Sequence, residues 1–260
     1  MASKTITSGD PLIKVVSPEK AAHIYGVSIY FPERASFNGD SISDRFNIFS
    51  AMRLKGQFKE MLEKVLYLLK GTDRTGWTQM GFPKEFRQSV DEHSQRMIQV
   101  LSYMCALNKD TYNQAIWHDS GEVLTSDFTP RDDITKKEKL ILETLAADII
   151  FHPHSDEKGY WEDYENRIKS SAKIVKDADI LELYAHTLYV AYKCSNLRET
   201  VINEVLNKPL DIKTPDGLKI LKTLEEDKIR AISGYAPKSD FYTYMNPDIS
   251  KRFVNLEFAA

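Results

Sequence analysis

Cysteine is nearly absent from this chain. Cys105 and Cys194 are the two in 260 residues, each inside an apolar stretch of helical spacing and far from the other. Neither a CxxC metal site nor a disulfide framework is therefore available, and both read as buried thiols in a reducing compartment. An excess of one charge sign is missing too. The 35 Lys and Arg against 38 Asp and Glu leave a net charge of −3, which gives no overall basic field for a nucleic-acid polymer. A small anionic substrate stays open if positive charge is concentrated locally. No apolar run approaches the roughly 18 residues that a membrane span needs. The start, MASKTITSGDPLIKVV, lacks the basic, apolar, small-residue order of a secretory leader, so the expected location is the cytoplasm. Internal repeats, low-complexity segments and heptads are absent as well.

What is present is helical texture. Residues 1–42 carry Gly, Pro and Ser around one alternating run, Tyr25 to Phe31, ended by Pro32; the run suits an edge strand or an extended arm. From Ser43, Phe46, Phe49, Met52, Phe58, Met61, Leu62, Val65, Leu66 and Leu69 recur mostly at intervals of three and four until Gly71, which predicts one long helix or two end to end. Further helices are expected over about 90–108, 111–124, 134–150, 159–169, 171–194, 197–206 and 216–232, with Pro130 and the stretch Pro209 to Pro215 as breaks. The aromatic tail from Tyr235 to Phe258 reads as irregular. The expected architecture is all-α: one helical domain over 43–207, an N-terminal extension over 1–42, and a C-terminal extension over 208–260 packing on the domain.

Chemistry concentrates at His93, the pair His118-Asp119, and Asp179. On a helix, Glu122 follows His118 by four residues and Asp119 by three, so its carboxylate is expected to project to the same side. His93 sits near the start of a preceding helix and Asp179 inside an apolar one. Two imidazoles and two carboxylates suit Mn²⁺, Co²⁺, Fe²⁺ or Mg²⁺, with water filling the remaining positions. A His-Asp dipeptide alone is a weak signal, and an Asp in an apolar helix is often just salt-bridged. The ordered set is what carries weight.

That set resembles the HD-domain 5'-deoxynucleotidases, a family of metal-dependent phosphohydrolases. The resemblance covers roughly 56–195 and rests on Arg74-Thr75-Gly76-Trp77, Ser89 to Ser94 around His93, His118 to Leu124, Asp127-Phe128-Thr129-Pro130, Ile134 to Lys139, and Val175 to Asp179. It implies an HD-domain helical bundle. It also implies metal ligation by His93, His118, Asp119 and Asp179, with Glu122 as the catalytic carboxylate and Arg74 orienting the phosphate. Trp77 and Asp127, with Phe128, Thr129 and Pro130, would lie beside the nucleotide. The segment before about residue 43 is extra, the loop from Arg74 to His93 is slightly longer, and the tail past about 207 has no match.

The resemblance implies hydrolysis of deoxynucleoside 5'-monophosphates to deoxynucleoside and phosphate with a divalent ion. The alternatives are a deoxynucleoside triphosphate triphosphohydrolase and, from another class, a non-catalytic nucleotide-binding module, against which the intact ligand set and Glu122 argue. A deoxynucleotide is the expected partner and a homodimer stays open; no nucleic-acid polymer and no membrane are expected. Several residues keep a plain reading beside the sharp one. Arg74 is also a solvated loop arginine, Trp77 also packing under its loop, and His152 with His154 a solvated loop. His186 is a core histidine or a second layer around Asp179. Lys136, Lys137 and Lys139 are a solvated helix start or a lure for phosphate.

Overall fold

The computed structural model describes residues 42–129, 131–132 and 134–246. The run Tyr25 to Phe31, read as strand or arm, and Pro130 lie outside the described residues. Along the chain the helices are α1 (Ile42–Leu54), α2 (Phe58–Leu69), α3 (Thr75–Gln79), α4 (Val90–Tyr103), α5 (Lys109–Trp117), α6 (Glu122–Thr125), α7 (Lys136–Ile150), α8 (Asp156–Asn166), α9 (Ser170–Lys193), α10 (Arg198–Val201), α11 (Pro215–Ile232) and α12 (Asp240–Met245). Among the described residues no strand forms, and extended pairing is confined to an isolated antiparallel bridge between Asp73 and Ser89. The all-α expectation holds. No described helix is long and apolar enough to cross a membrane.

The chain divides into two compact units. The first takes the chain to Gln79 together with Arg87–Asp91 and Trp117–Glu162; the second takes Met80–Phe86, Glu92–Ile116 and Asp163 onward.

In the first unit the apolar series from Ser43 to Leu69 folds as two helices. Gly56 lies between them at φ +70, a left-handed conformation that costs glycine little. The period-3.6 stripe of α2 buries Met61, Val65, Leu68 and Leu69. α1 contributes Phe46 and Phe49, and α7 contributes Leu142, Leu145, Ala146, Ile149 and Ile150. Each of these larger side chains is worth about 1.5–3 kcal/mol when fully withdrawn from water. A capping box starts α7: the Thr135 hydroxyl accepts from the Glu138 N–H, and the Glu138 side chain accepts from Thr135. At its other end Arg53 Nη1 donates to the carbonyl of Phe151, 2.9 Å away. Arg45 Nη1 donates to the carbonyl of Val123 at 2.9 Å, binding α1 to α6.

In the second unit α9, 24 residues long, packs against α11. Asp177 on α9 is fully buried and is saturated by the start of α11. Its Oδ1 accepts from the Lys213 N–H at 2.9 Å, and its Oδ2 from the Thr214 N–H at 2.7 Å and the Thr214 hydroxyl at 2.6 Å. Thr214 caps α11 and Pro215 takes its first turn, where a missing N–H costs nothing.

Several expectations are corrected in detail. The helix expected to reach 108 stops at Tyr103, because Cys105 adopts φ +52 and turns the chain. Cys105 is thereby exposed, whereas Cys194 is buried as expected. The helix expected over 197–206 is a composite of a 3₁₀ turn, α10 and a π-type turn over Ile202–Leu206. The tail expected to be irregular contains α12.

Gly217 lies where α11 closes on Asp177. A Cβ there would stand 2.7 Å from Asp177 Oδ2 and 2.8 Å from Ile212 Cγ2. Helix propensity alone favours Gly→Ala by about 1 kcal/mol, but overpacking at a buried anchor costs about 1–3 kcal/mol. Gly217→Ala is therefore expected to lower the urea midpoint; a raised midpoint would show that the anchor yields.

Candidate functional site

In the first unit α5 ends at Trp117 and does not run on to 124 as its sequence suggested. The Ser120 hydroxyl donates back to the Trp117 carbonyl at 2.7 Å. Gly121 meanwhile passes so close to α7 that a Cβ would sit 3.4 Å from that of Ala146. His118, Asp119, Ser120 and Gly121 form a turn, and Glu122 opens α6, its N–H donating to the Asp119 carbonyl at 3.0 Å. The three residues are still gathered, by a turn in place of a helix face. His118 Nε2 is 2.9 Å from Asp119 Oδ2, and Arg74 Nη1 is 3.9 Å from the same oxygen. Glu122 is 4% exposed. Burial first, then the charges of Asp119 and Asp127, push its carboxyl well above the usual range, with Lys139 and Arg74 offsetting only part.

The loop carrying Arg74 is pinned by its backbone. The Arg74 N–H donates to Gln88 at 3.0 Å, beside the Asp73–Ser89 bridge, and its carbonyl accepts from the Trp77 N–H at 3.1 Å. Asp127 Oδ2 accepts from the Thr75 N–H at 2.8 Å and so caps α3 from a distant part of the chain. Trp77 is 2% exposed, the packing position weighed for it from sequence. Phe128 is buried, and its carbonyl accepts from Lys139 Nζ at 3.0 Å. The Thr129 hydroxyl lies 2.6 Å from Gln79 Oε1. The three lysines part company: Lys136 and Lys137 are exposed, while Lys139 turns inward and also meets Glu143 at 3.4 Å. Burial alone would lower the Lys139 ammonium, but the carboxylates of Glu143, Glu122, Asp127 and Asp119 outweigh it and hold it above its usual range.

In the second unit His93, on the first turn of α4, is fully buried. Its Nε2 stands 3.2 Å from Asp179 Oδ1 on α9, and its Nδ1 is 2.7 Å from Glu182 Oε2. The other oxygen of Asp179 accepts from Tyr164 at 2.8 Å and from Lys176. Glu182 and Arg96 were missed in the sequence, although each follows a named residue by three on its own helix, the spacing that shares a face. Burial by itself pushes the Glu182 carboxyl up. The hydrogen bond from His93 and the charges of His93, Arg96 and His186 prevail and hold it well below the carboxylate range. Because Glu182 only accepts, His93 Nδ1 carries a proton and donates it. His186 donates from Nε2 to the carbonyl of Phe86 at 2.8 Å, a core histidine with its bond made. His152 and His154 are exposed.

The cap at α3 yields a test. Asp127→Ala removes the acceptor for the Thr75 N–H and is expected to cost about 1 kcal/mol, read as a lower urea midpoint at unchanged slope. Unchanged stability would mean that the loop is held without Asp127.

The family model described as HD domain matches residues 66–214. The chain is 36% identical over 138 residues to the 5'-deoxynucleotidase HDDC2 of Dictyostelium discoideum, covering 46% of this chain and 70% of that protein. It is 29% identical over 185 residues to the HDDC2 of Xenopus laevis, covering 68% and 90%. Against the 5'-deoxynucleotidase YGK1 of Saccharomyces cerevisiae it is 29% identical over 178 residues, covering 63% and 80%. The matched segment holds His93, His118, Asp119, Glu122 and Asp179, and since it spans more than half of the sequence, the chain belongs to the HD domain family.

Proposed function

We propose that this chain hydrolyses deoxynucleoside 5'-monophosphates to deoxynucleoside and phosphate, as the names of its relatives describe for those proteins. The observation that carries the reading is the buried Glu122 beside Asp119 and Arg74, with His118 against the same Asp119, which supports a titratable carboxyl next to proposed cation ligands and a phosphate-binding guanidinium. The residues fit a divalent cation. Both imidazoles turn Nε2 toward a carboxylate oxygen, and Glu182 takes the far nitrogen of His93, the usual support of a ligating histidine.

His93, His118, Asp119 and Asp179 are the proposed ligands, for one of Mn²⁺, Co²⁺, Mg²⁺ or Fe²⁺. When bound, the cation supplies Lewis-acid stabilisation of the phosphoryl charge and acidifies water. Arg74 grips two phosphate oxygens and offsets the charge that grows on them. Glu122 is the group that moves the proton between water and the leaving 5'-oxygen. Asp127, Phe128 and Thr129 are proposed to lie beside base and sugar, while Trp77, expected with them, is packed away at 2% exposure. The catalytic domain is taken as 43–207, with 1–42 and 208–260 as extensions. A cytoplasmic enzyme, alone or as a homodimer, completes the reading.

The test is phosphate release from paired deoxy- and ribonucleoside mono- and triphosphates with Mn²⁺, Co²⁺ and Mg²⁺ in turn. Orthophosphate from deoxynucleoside monophosphates is expected. Release of intact triphosphate would establish the rival reaction, and nucleotide binding without any release would establish the non-catalytic module. Glu122→Gln is expected to keep the cation and lose about 10²–10⁴ in rate, while Asp179→Ala loses cation and activity together; full metal content in Asp179→Ala would remove it from the ligand set. Arg74→Ala is expected to cost about 2–4 kcal/mol in kcat/KM for every nucleotide alike, and wild-type rates would leave the phosphate without its proposed partner.

A further inference from the structure

The second unit contains a polar chain that begins outside the residues matched by the family model. α12 lies past residue 214, where that match ends. Its N-terminus is capped by the Ser239 hydroxyl, which accepts from the Tyr242 N–H at 3.0 Å. The preceding loop is fastened to α11 by buried Asp227, which accepts from the Lys238 N–H at 2.7 Å and the Ser239 N–H at 3.2 Å. Phe241 and Met245 are buried, and the Phe241 ring meets Tyr103 of α4 at 5.1 Å. So anchored, α12 delivers its last carbonyl, that of Met245, to Arg96 Nη2 at 2.8 Å. Arg96 Nε donates to Glu182 Oε1 at 2.7 Å, and Glu182 Oε2 accepts from His93 Nδ1 at 2.7 Å.

We propose that Glu182 and Arg96 are positioning residues that aim His93 Nε2 at the bound cation, and that α12, through the Met245 carbonyl, holds Arg96 in register. The C-terminal segment is thus a working part of the centre. The inference rests on His93 being a ligand, as proposed above. The geometry explains why an arginine is needed. Its planar fork offers Nε to one acceptor and Nη2 to another at fixed angles, whereas a lysine ammonium is a single point on a flexible stem. A buried imidazole has few ways to be aimed except through its far nitrogen, and the carboxylate that receives it must itself be held.

The experiment uses the full chain, stripped of metal and titrated with Co²⁺, with calorimetry for affinity and visible absorption for coordination. Arg96→Met and Glu182→Gln are expected to weaken Co²⁺ binding by about 10–100-fold and to shift the Co²⁺ spectrum. Arg96→Lys is expected to recover part of the affinity, and it decides the question if Arg96→Met shows no cooperative melting. Ser239→Ala, which loosens α12, is expected to weaken Co²⁺ binding when Arg96 is present and to add nothing in Arg96→Met. Equal losses in both backgrounds would overturn the part given to α12. Wild-type affinity and spectrum in the Arg96 and Glu182 variants, with binding lost in His93→Ala, would overturn the positioning role while leaving His93 a ligand. Wild-type Co²⁺ affinity in His93→Ala would overturn the ligand reading itself.

Discussion

A carboxylate withdrawn from water costs several kcal/mol unless donors or cations meet it, and this chain withdraws several. Asp177, Glu182 and Asp227 are all essentially unexposed, and each is where one helix is tied to another stretch of chain. Asp177 receives the start of α11, Asp227 receives the start of α12, and Glu182 receives His93 and Arg96 of α4. The cost of burial is what makes these ties directional. Apolar packing between α9 and α11 tolerates sliding, but a carboxylate that needs two or three donors at once accepts one register.

Glu122 is the exception. It is as hidden as the others, yet its surroundings include two further acids, and the nearby cations Lys139 and Arg74 do not cancel them. Its carboxyl is driven toward the neutral form, whereas that of Glu182 is held ionised by His93 and Arg96. A group kept in that condition contributes little to stability and is well suited to proton transfer. A cation bound at Asp119 would relieve part of the repulsion. Glu122 and Glu182, both buried, are thus driven in opposite directions by their neighbours alone.

The helical class was legible because apolar residues at three- and four-residue intervals dominate the chain from Ser43 onward, and the capping box at Thr135 and Glu138 marks a helix start in plain sight. Boundaries were less so. The apolar spacing through His118 does not announce that α5 stops at Trp117, where the Ser120 hydroxyl bonds back to the Trp117 carbonyl and Gly121 lies against α7, a contact between residues 25 apart in sequence. Cys105 was read as buried from its apolar neighbours, and a single left-handed residue placed it at the surface.

By itself the sequence determined the residue types of the proposed cation centre and their order along the chain, because ligand chemistry depends on side-chain identity and helical spacing is local. Only the tertiary structure decided what surrounds them. That Lys139 turns inward while Lys136 and Lys137 stay in water, that Trp77 is packed away, and that Glu182 and Arg96 stand behind His93 all follow from residues far apart in sequence. Burial and the sum of nearby charges are properties of the folded neighbourhood, and no local pattern encodes them.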